Sequence, residues 1–334
     1  MYEKFYHLTG IPFLLTPDRR FFFGSSGHSR AIAHLVYGLS QEEGFVVITG
    51  EVGAGKTTLV EQLWTQLDRN TYVMSRVVTT RVSGDDLLRL AMAGFGLEAD
   101  IGSDKATLLI RYEQIVREHR KHGRRLLLLV DEVQNLPLIA LEELRMLSNI
   151  TVDGKASVQT ILLGQPQFRP MLAARDADQL RQRVLASYHL GPLTESETRS
   201  YIEHRLRLVG WKNDPAWESD AFSAIHSQSG GIPRRINTLC SRVLLLGSLE
   251  ETHTITAEMV NTTAEELNED LGAGGLAIPA PDPAPASAFT APGAAPSREF
   301  DALAGRIMLL EHGAVRQERM LQRILDIMEA RVPQ

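Results

Sequence analysis

Short apolar runs alternate with amphipathic stretches between residues 45 and 190. Continuous apolar runs are typical of strands in a parallel sheet that helices cover on both faces. One amphipathic stretch, residues 29–40, precedes the first run and places Ile32, Leu35, Val36 and Leu39 on one side of a helix. The pattern predicts an α/β core. The four predicted strands lie at residues 45–49, 73–78, 126–130 and 158–163.

The pattern changes at Thr194. Thr194 and Glu197 have the spacing of a capping box, in which a Thr and a Glu three residues apart satisfy backbone N–H groups at a helix start. About three helices are then expected up to Leu267, with no convincing strand among them. This part of the chain predicts a small all-α domain.

The end of the sequence differs again. Residues 269–298 are rich in Ala, Pro and Gly, which predicts a disordered tether because so little of it could be buried. Beyond the tether, apolar residues return at alternating spacings of four and three over roughly three to four heptads. We expect this segment to form a coiled-coil-like helix that pairs with itself or with a partner. The seam consists of Leu303, Ile307, Leu310, Ala314, Gln317, Leu321, Ile324 and Met328.

The composition and net charge of the sequence limit the classes of protein to which it could belong. The formal charge of -6 gives the 334 residues no general attraction to nucleic acid or anionic lipid. The one cysteine, Cys240, lies on an apolar helical face, which argues against a disulfide-built fold. The first residues do not have the apolar run of a signal peptide, and no apolar stretch approaches the ~18 residues that span a bilayer. We expect a cytoplasmic protein that reaches the inner membrane only through a partner.

The stretch GEVGAGKTT matches the phosphate-binding loop, and it joins an apolar strand to an amphipathic helix as that motif requires. Its glycines permit the tight turn whose N–H groups face phosphate oxygens. Lys56 is expected to reach the β and γ phosphates of ATP, and Thr57 to hold Mg²⁺. The residues predicted to surround the nucleotide phosphates are Gly50, Glu51, Val52, Gly53, Ala54, Gly55, Lys56, Thr57 and Thr58.

A second motif follows the strand at 126–130. Asp131 and Glu132 stand at its carboxyl end, where parallel sheets place their ligands. Asp131 is expected to orient the Mg²⁺ shell, and Glu132 to accept a proton from the water that attacks the γ phosphate. A surface acidic pair at a helix start is the weaker alternative, because the preceding strand is so apolar.

Three more polar residues are candidates with open alternatives. Gln165, at the tip of the strand at 158–163, could hold the attacking water or contact the γ phosphate, or could be a turn residue before a proline. Arg181 and Arg183, in the stretch LRQRVLASYHL, are expected to have no nearby acid in the sequence and could include an arginine finger that reaches the γ phosphate of a neighbouring subunit. An ordinary basic surface is an equal alternative for these two.

The stretch GGIPRRINTLC predicts a helix that begins at Pro233. Arg234 and Arg235 therefore lie in its first turn, where the positive end of the helix dipole disfavours a cation. At 100° per residue, Arg234 points away from the apolar stripe and presents its charge outside its own helix. An anion is the expected partner of Arg234, whereas a solvated arginine pair is the simpler alternative.

The order of these motifs resembles an AAA+ module. In that family the arginine after the Gly-x-Pro turn is called sensor 2 and reaches from a helical lid to the nucleotide; here it is Arg234, and Arg235 is expected to brace the domain contact. Longer stretches, including PFLLTPD, DEVQNL, LEELRMLSN, LLGQP and GGIPRRINTLC, are similar to the ExeA-type secretion ATPases, and among them to the branch found with PEP-CTERM and exosortase systems. The family's usual TPDP is TPDR here, with Arg19 in place of Pro.

The resemblance implies a Mg²⁺-dependent ATPase that forms homo-oligomers and supports an envelope secretion or exopolysaccharide export system at the inner membrane. The resemblance runs from about Tyr2 to Glu266 and does not cover the tail. From its heptad seam alone, we expect the C-terminal helix to be a route of contact with the export proteins. Two alternatives stay open: a DNA-associated ATPase of the transposition-helper type, which the acidic net charge disfavours, and a nucleotide-gated scaffold that scarcely turns ATP over.

The resemblance also gives the predicted domains their names. A P-loop AAA+ core occupies residues 1–192, and its residues 1–44 are expected to cover the nucleotide. An α-helical lid occupies residues 193–268, followed by the tether at 269–298 and the C-terminal helix at 299–334.

Overall fold

The computed structural model describes residues 2–16, 18–78, 83–97 and 104–271. All of these belong to the first of two compact units of the chain, Met1–Ile278. The predicted C-terminal helix at 299–334 and residues 272–298 of the predicted tether lie outside the described residues. Among the residues that are described, none of the helices is both long and apolar enough to cross a membrane.

The strands and helices of the described residues alternate up to residue 190. The strands are β1 (Phe45–Gly50), β2 (Tyr72–Val78), β3 (Arg125–Asp131), β4 (Thr151–Val152), β5 (Lys155–Ala156), β6 (Val158–Gly164), β7 (Val184–Leu190), β8 (Ala216–Trp217) and β9 (Thr254–Ile255). The helices are α1 (Tyr2–Phe5), α2 (Ser26–Ser40), α3 (Lys56–Gln66), α4 (Gly84–Gly94), α5 (Lys105–Lys121), α6 (Leu138–Asn149), α7 (Phe168–Ala173), α8 (Asp178–Arg181), α9 (Glu195–Leu208), α10 (Ser219–Ser229), α11 (Pro233–Leu249) and α12 (Ala257–Leu271).

One parallel sheet organises the first part of the fold. Within the described residues it has five strands in the order β2-β3-β6-β1-β7. The four predicted strands are confirmed to within one residue at either end. Their carboxyl ends meet at one edge of the sheet, so that the residues after β1, β3 and β6 come close together.

Alternate residues of the strands face two separate cores. Val46 and Ile48 pack with Leu127 and Leu129 against α2 and α3. Phe45 and Val47 face the other side, where they pack with side chains of α4, α5 and α6. Both faces of the central strands are covered, which explains why β1, β3 and β6 are almost continuously apolar rather than alternating.

The strand β7 was not predicted, and its burial explains the omission. It lies at the edge of the sheet beside β1, and its sequence VLASYHL buries Ala186 and Leu190 while Leu185, Ser187 and His189 remain exposed. An edge strand that is half exposed carries polar residues and lacks the apolar run that marked the other strands.

The helix predicted at 29–40 is α2, which begins three residues earlier than predicted and buries a partly different face from the one that the sequence pattern indicated. It begins at Ser26, because the Ser25 side chain caps it by accepting a hydrogen bond from the His28 N–H. Val36, predicted on the buried side, is 50% exposed. The helix makes its closest approach to β1 at Gly38, where a Cβ would lie 2.1 Å from Val46 Cγ2. This contact brings Leu35, Gly38 and Leu39 against the sheet.

The chain after residue 193 is mainly helical, as predicted, but the expectation that it contains no strand is wrong. The strands β8 and β9 pair in parallel here, and two residues are too few to give a strand pattern in the sequence. The capping box of Thr194 and Glu197 is present at the start of α9, and Pro233 is the first residue of α11. The described residues contain four helices here, α9 to α12, rather than about three, and α12 continues to Leu271. The helices share a third core, which contains the buried Cys240.

The first residues of the chain join this third core. Tyr2, Tyr6, Leu8, Phe13 and Phe21 are buried among the residues of the helical region rather than against the sheet. The Thr9 N–H also donates to the Val209 carbonyl, 2.9 Å away. The N-terminal segment is therefore packed with the helical region far along the chain: Arg205 contacts Pro12 across 193 positions, and Tyr6 contacts Thr252 across 246.

Candidate functional site

The predicted phosphate loop lies between β1 and α3 at the carboxyl edge of the sheet. Two of its glycines have left-handed backbone conformations, Gly53 with φ +85° and Gly55 with φ +96°. Residues other than glycine rarely adopt such values of φ. Gly55 is also the N-cap of α3 and has no side chain to cap the first N–H groups of the helix. These N–H groups and the helix dipole make this end of α3 suited to an anion.

A cavity of about 270 Å³ opens above this loop. We call its two sides the loop wall, formed by Val52, Gly53, residues 55–58 and Glu132, and the helix wall. The helix wall consists of residues 14–16 and 21–23 with Tyr201, Arg205, Arg234 and Asn237. Arg234 and the loop residues Gly53, Lys56 and Thr57 all line the cavity, which brings the predicted sensor arginine to the predicted phosphate loop.

Lys56 is buried in the loop wall. Its Nζ donates to the carbonyl oxygens of Gly50 at 2.7 Å and Glu51 at 3.0 Å. Burial lowers the pKa of Lys56 from its ordinary value, while the nearby Glu132, Asp131 and Glu51 carboxylates act in the opposite direction. The ammonium is thus held beside the loop N–H groups, where it can bind a phosphate oxygen.

Thr57 and Asp131 meet as the sequence predicted. The Thr57 Oγ1 donates to Asp131 Oδ2 at 3.0 Å, and Asp131 is buried at the end of β3. A hydroxyl and a carboxylate are hard oxygen donors of the kind that Mg²⁺ prefers, with waters and phosphate oxygens completing its shell. The residues present therefore fit a Mg²⁺ ion.

Sequence reasoning missed the cation beside this pair. Arg76, on the neighbouring strand β2, places its Nη2 3.4 Å from Asp131 Oδ2 and its Nη1 3.2 Å from Glu61 Oε1. The signal for it was weak: Arg76 is the one charged residue in the strand sequence YVMSRVV. It counters the negative charge of a carboxylate that is largely removed from water.

Glu132 is held by two glutamines. The Gln165 Nε2 donates to Glu132 Oε2 at 3.0 Å, and the Gln134 Nε2 donates to the same oxygen. Glu132 has a left-handed backbone with φ +52°, which is uncommon for a residue with a side chain. Gln165 thus lies beside the expected base, as the adjacency of β3 and β6 required, whereas Gln134 was not predicted to take part.

Arg181 and Arg183 lie away from this cavity. Arg181 pairs with Asp178 at 2.6 Å, so the expectation of no nearby acid is wrong: Asp178 lies three residues earlier, one helical turn away. The Arg183 Nη1 donates to the Ser148 carbonyl at 3.2 Å, and its backbone carbonyl accepts from Phe45 at the start of β1. Arg183 therefore lies at the edge of the sheet opposite the phosphate loop, beyond reach of this chain's own site.

Arg234 is exposed and touches the loop directly. Its backbone N–H donates to the Gly53 carbonyl at 3.2 Å, and a Cβ on Gly53 would lie 2.4 Å from the Arg234 Cβ. Gly53 is thus needed for the close approach of α11. The Arg235 Nη1, by contrast, is buried and has no hydrogen-bond partner in the described part of the chain.

A buried arginine of the helix wall was also missed. The Arg205 Nε donates to the Pro12 carbonyl at 2.6 Å, its Nη1 donates to the Tyr201 hydroxyl at 2.8 Å, and its guanidinium lies 4.6 Å from the Phe21 ring centre. The Tyr201 hydroxyl in turn donates to Asn237 Oδ1 at 2.9 Å. This network fastens the N-terminal segment to α9 and α11.

His28 is a further residue that the sequence did not single out. It lines the cavity, and its Nδ1 lies 2.7 Å from the capping Ser25 Oγ. Its Nε2 faces the loop, 3.0 Å from where a Cβ on Gly55 would stand. Burial lowers the pKa of His28, which favours a neutral ring.

Comparison with known proteins identifies the fold. Residues 39–172 match the family described as AAA domain. The structure is similar to the ORC2 protein of Aeropyrum pernix (TM-score 0.56, 18% identity, 75% of this chain and 72% of that chain). It is also similar to Cdc6p of Pyrobaculum aerophilum (TM-score 0.59, 15% identity, 79% of this chain and 70% of that chain). The chain has the AAA fold.

A curated relative adds a more specific similarity. The chain is 36% identical over 275 residues to general secretion pathway protein A of Aeromonas hydrophila, covering 80% of this chain and 49% of that protein. The chain therefore spans about half the length of this relative. The AAA domain match includes Lys56, Asp131, Glu132 and Gln165, and it ends before Arg183 and Arg234.

Proposed function

We propose that the chain binds ATP with Mg²⁺ and hydrolyses it. The observation that carries this proposal is the convergence of Lys56, Thr57 with Asp131, and Glu132 with Gln165 at one edge of the sheet. Lys56 and the loop N–H groups bind the β and γ phosphates. Mg²⁺, held by Thr57 and Asp131, supplies charge neutralisation on the phosphates when it is bound.

The remaining residues act on water and on the transferred phosphoryl group. Glu132 accepts the proton of the attacking water, and Gln165 holds that water or contacts the γ phosphate. Arg234 reaches from the helix wall to the nucleotide, so that binding ATP draws α11 toward the loop. Gly50 to Thr58 form the phosphate cradle.

A pair of variants tests this proposal. Glu132→Gln should bind ATP with the parent's affinity and lose about 10²- to 10⁴-fold in turnover, because only the proton acceptor is removed. Binding is measured by isothermal titration calorimetry and turnover by phosphate release. Parent-like hydrolysis in Glu132→Gln would remove the base role, and parent protein that binds ATP without turnover would support the nucleotide-gated scaffold.

We further propose that hydrolysis occurs between subunits of a homo-oligomer, with Arg183 as the arginine finger of the next subunit. Its position away from this chain's own phosphate loop supports this assignment, and the Arg181–Asp178 ion pair makes Arg181 the weaker candidate. Arg183→Ala should retain ATP binding and lose about 10³-fold in turnover.

Mixing variants sharpens the test of the finger. The Lys56→Ala protein retains Arg183, the proposed arginine finger, whereas the Arg183→Ala protein retains an intact nucleotide site. Mixed oligomers should therefore recover activity, because an intact site then meets an intact finger. No recovery, with both variants folded and able to assemble, would leave Arg183 as an ordinary surface residue.

The cellular setting is proposed from similarity. General secretion pathway protein A is named for a secretion pathway, and the stretches quoted from this sequence resemble the PEP-CTERM and exosortase branch of its family. We propose that this ATPase works in the cytoplasm at the inner membrane with an envelope export system, exopolysaccharide export being the specific case. Salt-dependent retention of DNA would instead support the DNA-associated alternative.

The proposed link to that system is the seam at 303–328. Deleting everything after Leu271 should keep basal turnover and lower oligomer stability or membrane co-sedimentation. Replacing Leu310 and Leu321 with Asp should have the same effect, because a charged seam cannot pair. Parent-like mass in solution and parent-like co-sedimentation would contradict an assembly role for the seam.

A further inference from the structure

Gln134 connects the turn after β3 to the tip of β6 through both ends of its amide. Its Oε1 accepts a hydrogen bond from the Gln165 backbone N–H at 2.9 Å. Its Nε2 donates to Glu132 Oε2. A backbone N–H can only donate, so the first bond fixes which end of the amide is the oxygen, and the donor end must then face Glu132.

The same glutamate oxygen also accepts from the Gln165 side chain at 3.0 Å. Glu132, Gln134 and Gln165 thus form a closed network in which each member contacts both others. The amide of Gln134 sets the separation between the two strand tips, and two donors fix one carboxylate oxygen in space. A conformational change at Gln165 therefore reaches Glu132 through two hydrogen bonds at once.

The backbone around the network is adapted to it. Glu132 keeps φ +52°, a conformation that persists in a residue with a side chain only where the surroundings enforce it. Gly164 lies under the network, and a Cβ at that position would be 2.8 Å from Val133 Cγ1 and 3.4 Å from Gln134 Oε1. Because Gly164 has no side chain, the turn after β3 can pack against the tip of β6.

We propose that Gln134 is a positioning residue for hydrolysis, which orients Glu132 and couples it to Gln165. This proposal rests on the proposed ATPase function, in which Glu132 is the proton acceptor. A base must lie within hydrogen-bonding reach of its water in the reactive geometry, and a displacement of about 1 Å can cost on the order of 10²-fold in rate.

Two substitutions separate positioning from a purely structural role. Gln134→Glu keeps an oxygen that can accept from the Gln165 N–H, so the link to β6 survives, but it replaces the donor to Glu132 with a second carboxylate. Gln134→Leu removes both bonds. If the role is positioning, both variants lose about 10- to 100-fold in kcat with little change in KM for ATP. If the role is only structural, Gln134→Glu keeps the parent's kcat.

The control is Gln167→Leu, which changes an exposed glutamine three residues beyond the Gly164 tip and should leave kcat unchanged. A double variant adds a second readout: Gln134→Leu should have a much smaller effect in a Glu132→Gln background than in the parent, because the base that Gln134 orients has been removed. ATP affinity and melting temperature of each variant show whether the loop wall is intact.

The outcomes also distinguish failure of the positioning role of Gln134 from failure of the proposed ATPase function on which it rests. Unchanged turnover in Glu132→Gln overturns the base assignment and the role of Gln134 with it. Loss of turnover in Glu132→Gln together with parent-like kcat in both Gln134 variants leaves the ATPase proposal standing and overturns the positioning role alone.

Discussion

The two walls of the cavity are built in different ways. The loop wall comes from one continuous segment after β1 and from Glu132 at the end of β3, and the backbone conformation of that segment follows from Gly53 and Gly55. The helix wall joins residues 14–16 and 21–23 to helices far along the chain. Local backbone geometry thus makes the surface for an anion, whereas long-range packing makes the surface that faces it.

Each wall contains one buried cation that illustrates this difference, Lys56 in the loop wall and Arg205 in the helix wall. Lys56 donates to loop carbonyls, has three carboxylates nearby and lines the cavity beside the first turn of α3. Arg205 binds neutral acceptors, the Pro12 carbonyl and the Tyr201 hydroxyl, and stacks on Phe21. The first cation is placed to meet a ligand, and the second holds two distant segments together.

Removing Lys56 should give the largest effect on ligand binding. Lys56→Ala deletes the main side-chain charge for the β and γ phosphates, and charge-assisted hydrogen bonds contribute about 1.5–3 kcal/mol each. We expect ATP affinity to fall by about two orders of magnitude or more in calorimetric titration. Lys121→Ala, on the exposed end of α5, is the matched control. Equal affinities for Lys56→Ala and the parent would contradict the assignment of the loop wall.

Removing Arg205 should instead lower stability. Arg205→Met keeps much of the apolar packing but leaves the Pro12 carbonyl and the Tyr201 hydroxyl with fewer partners, at a cost of about 2–4 kcal/mol. The free energy of unfolding in urea measures this. Arg207→Met, an exposed arginine paired with Glu203, should change it by less than about 0.5 kcal/mol. Similar urea midpoints for the two variants would show that the helix wall does not depend on the network.

Arg234 should affect the contact between the walls and leave the fold intact. Arg234→Ala removes an exposed cation from the unfavourable end of α11, so unfolding free energy should change by no more than about 0.3–1 kcal/mol. ATP affinity should fall about tenfold, and ATP should protect the helical region less against proteolysis. Arg242→Ala, exposed on the same helix, serves as the control. If ATP affinity and protection both match the parent, Arg234 does not contact the nucleotide.

The smallest effect is expected at Cys240, deep in the core of the helical region. Burial raises the pKa of its thiol, so the neutral form is favoured in the fold and its contribution to stability is fully present below about pH 8.5 and declines above it. Raising the pH from about 7 to 9 should therefore not accelerate labelling by a thiol reagent in the native protein, whereas urea should expose the thiol. Fast labelling of the native protein at pH 9 would show that the helical core opens locally.

The central strands β1, β3 and β6 could be predicted because burial on both faces leaves a continuous apolar run. The edge strand β2 was also located to within one residue, although Arg76 and Val78 in it are exposed. The edge strand β7 lacked that apolar run, since half of its residues face solvent. The face of α2 was also misjudged, because the close contact of Gly38 with Val46 turned Val36 outward. No periodicity within α2 could indicate where β1 would press against it.

For the candidate site, the sequence by itself determined the chemistry of the loop wall. Spacing within one segment sets the positions of Lys56 and Thr57, and the parallel sheet brings Asp131 to them. Only the tertiary structure decided what surrounds that chemistry: Arg76 beside Asp131, Gln134 between Glu132 and Gln165, and the Arg205 network. The physical reason is that backbone geometry acts over a few residues, whereas a buried amide or guanidinium takes its partners from whichever segments packing brings within hydrogen-bonding distance.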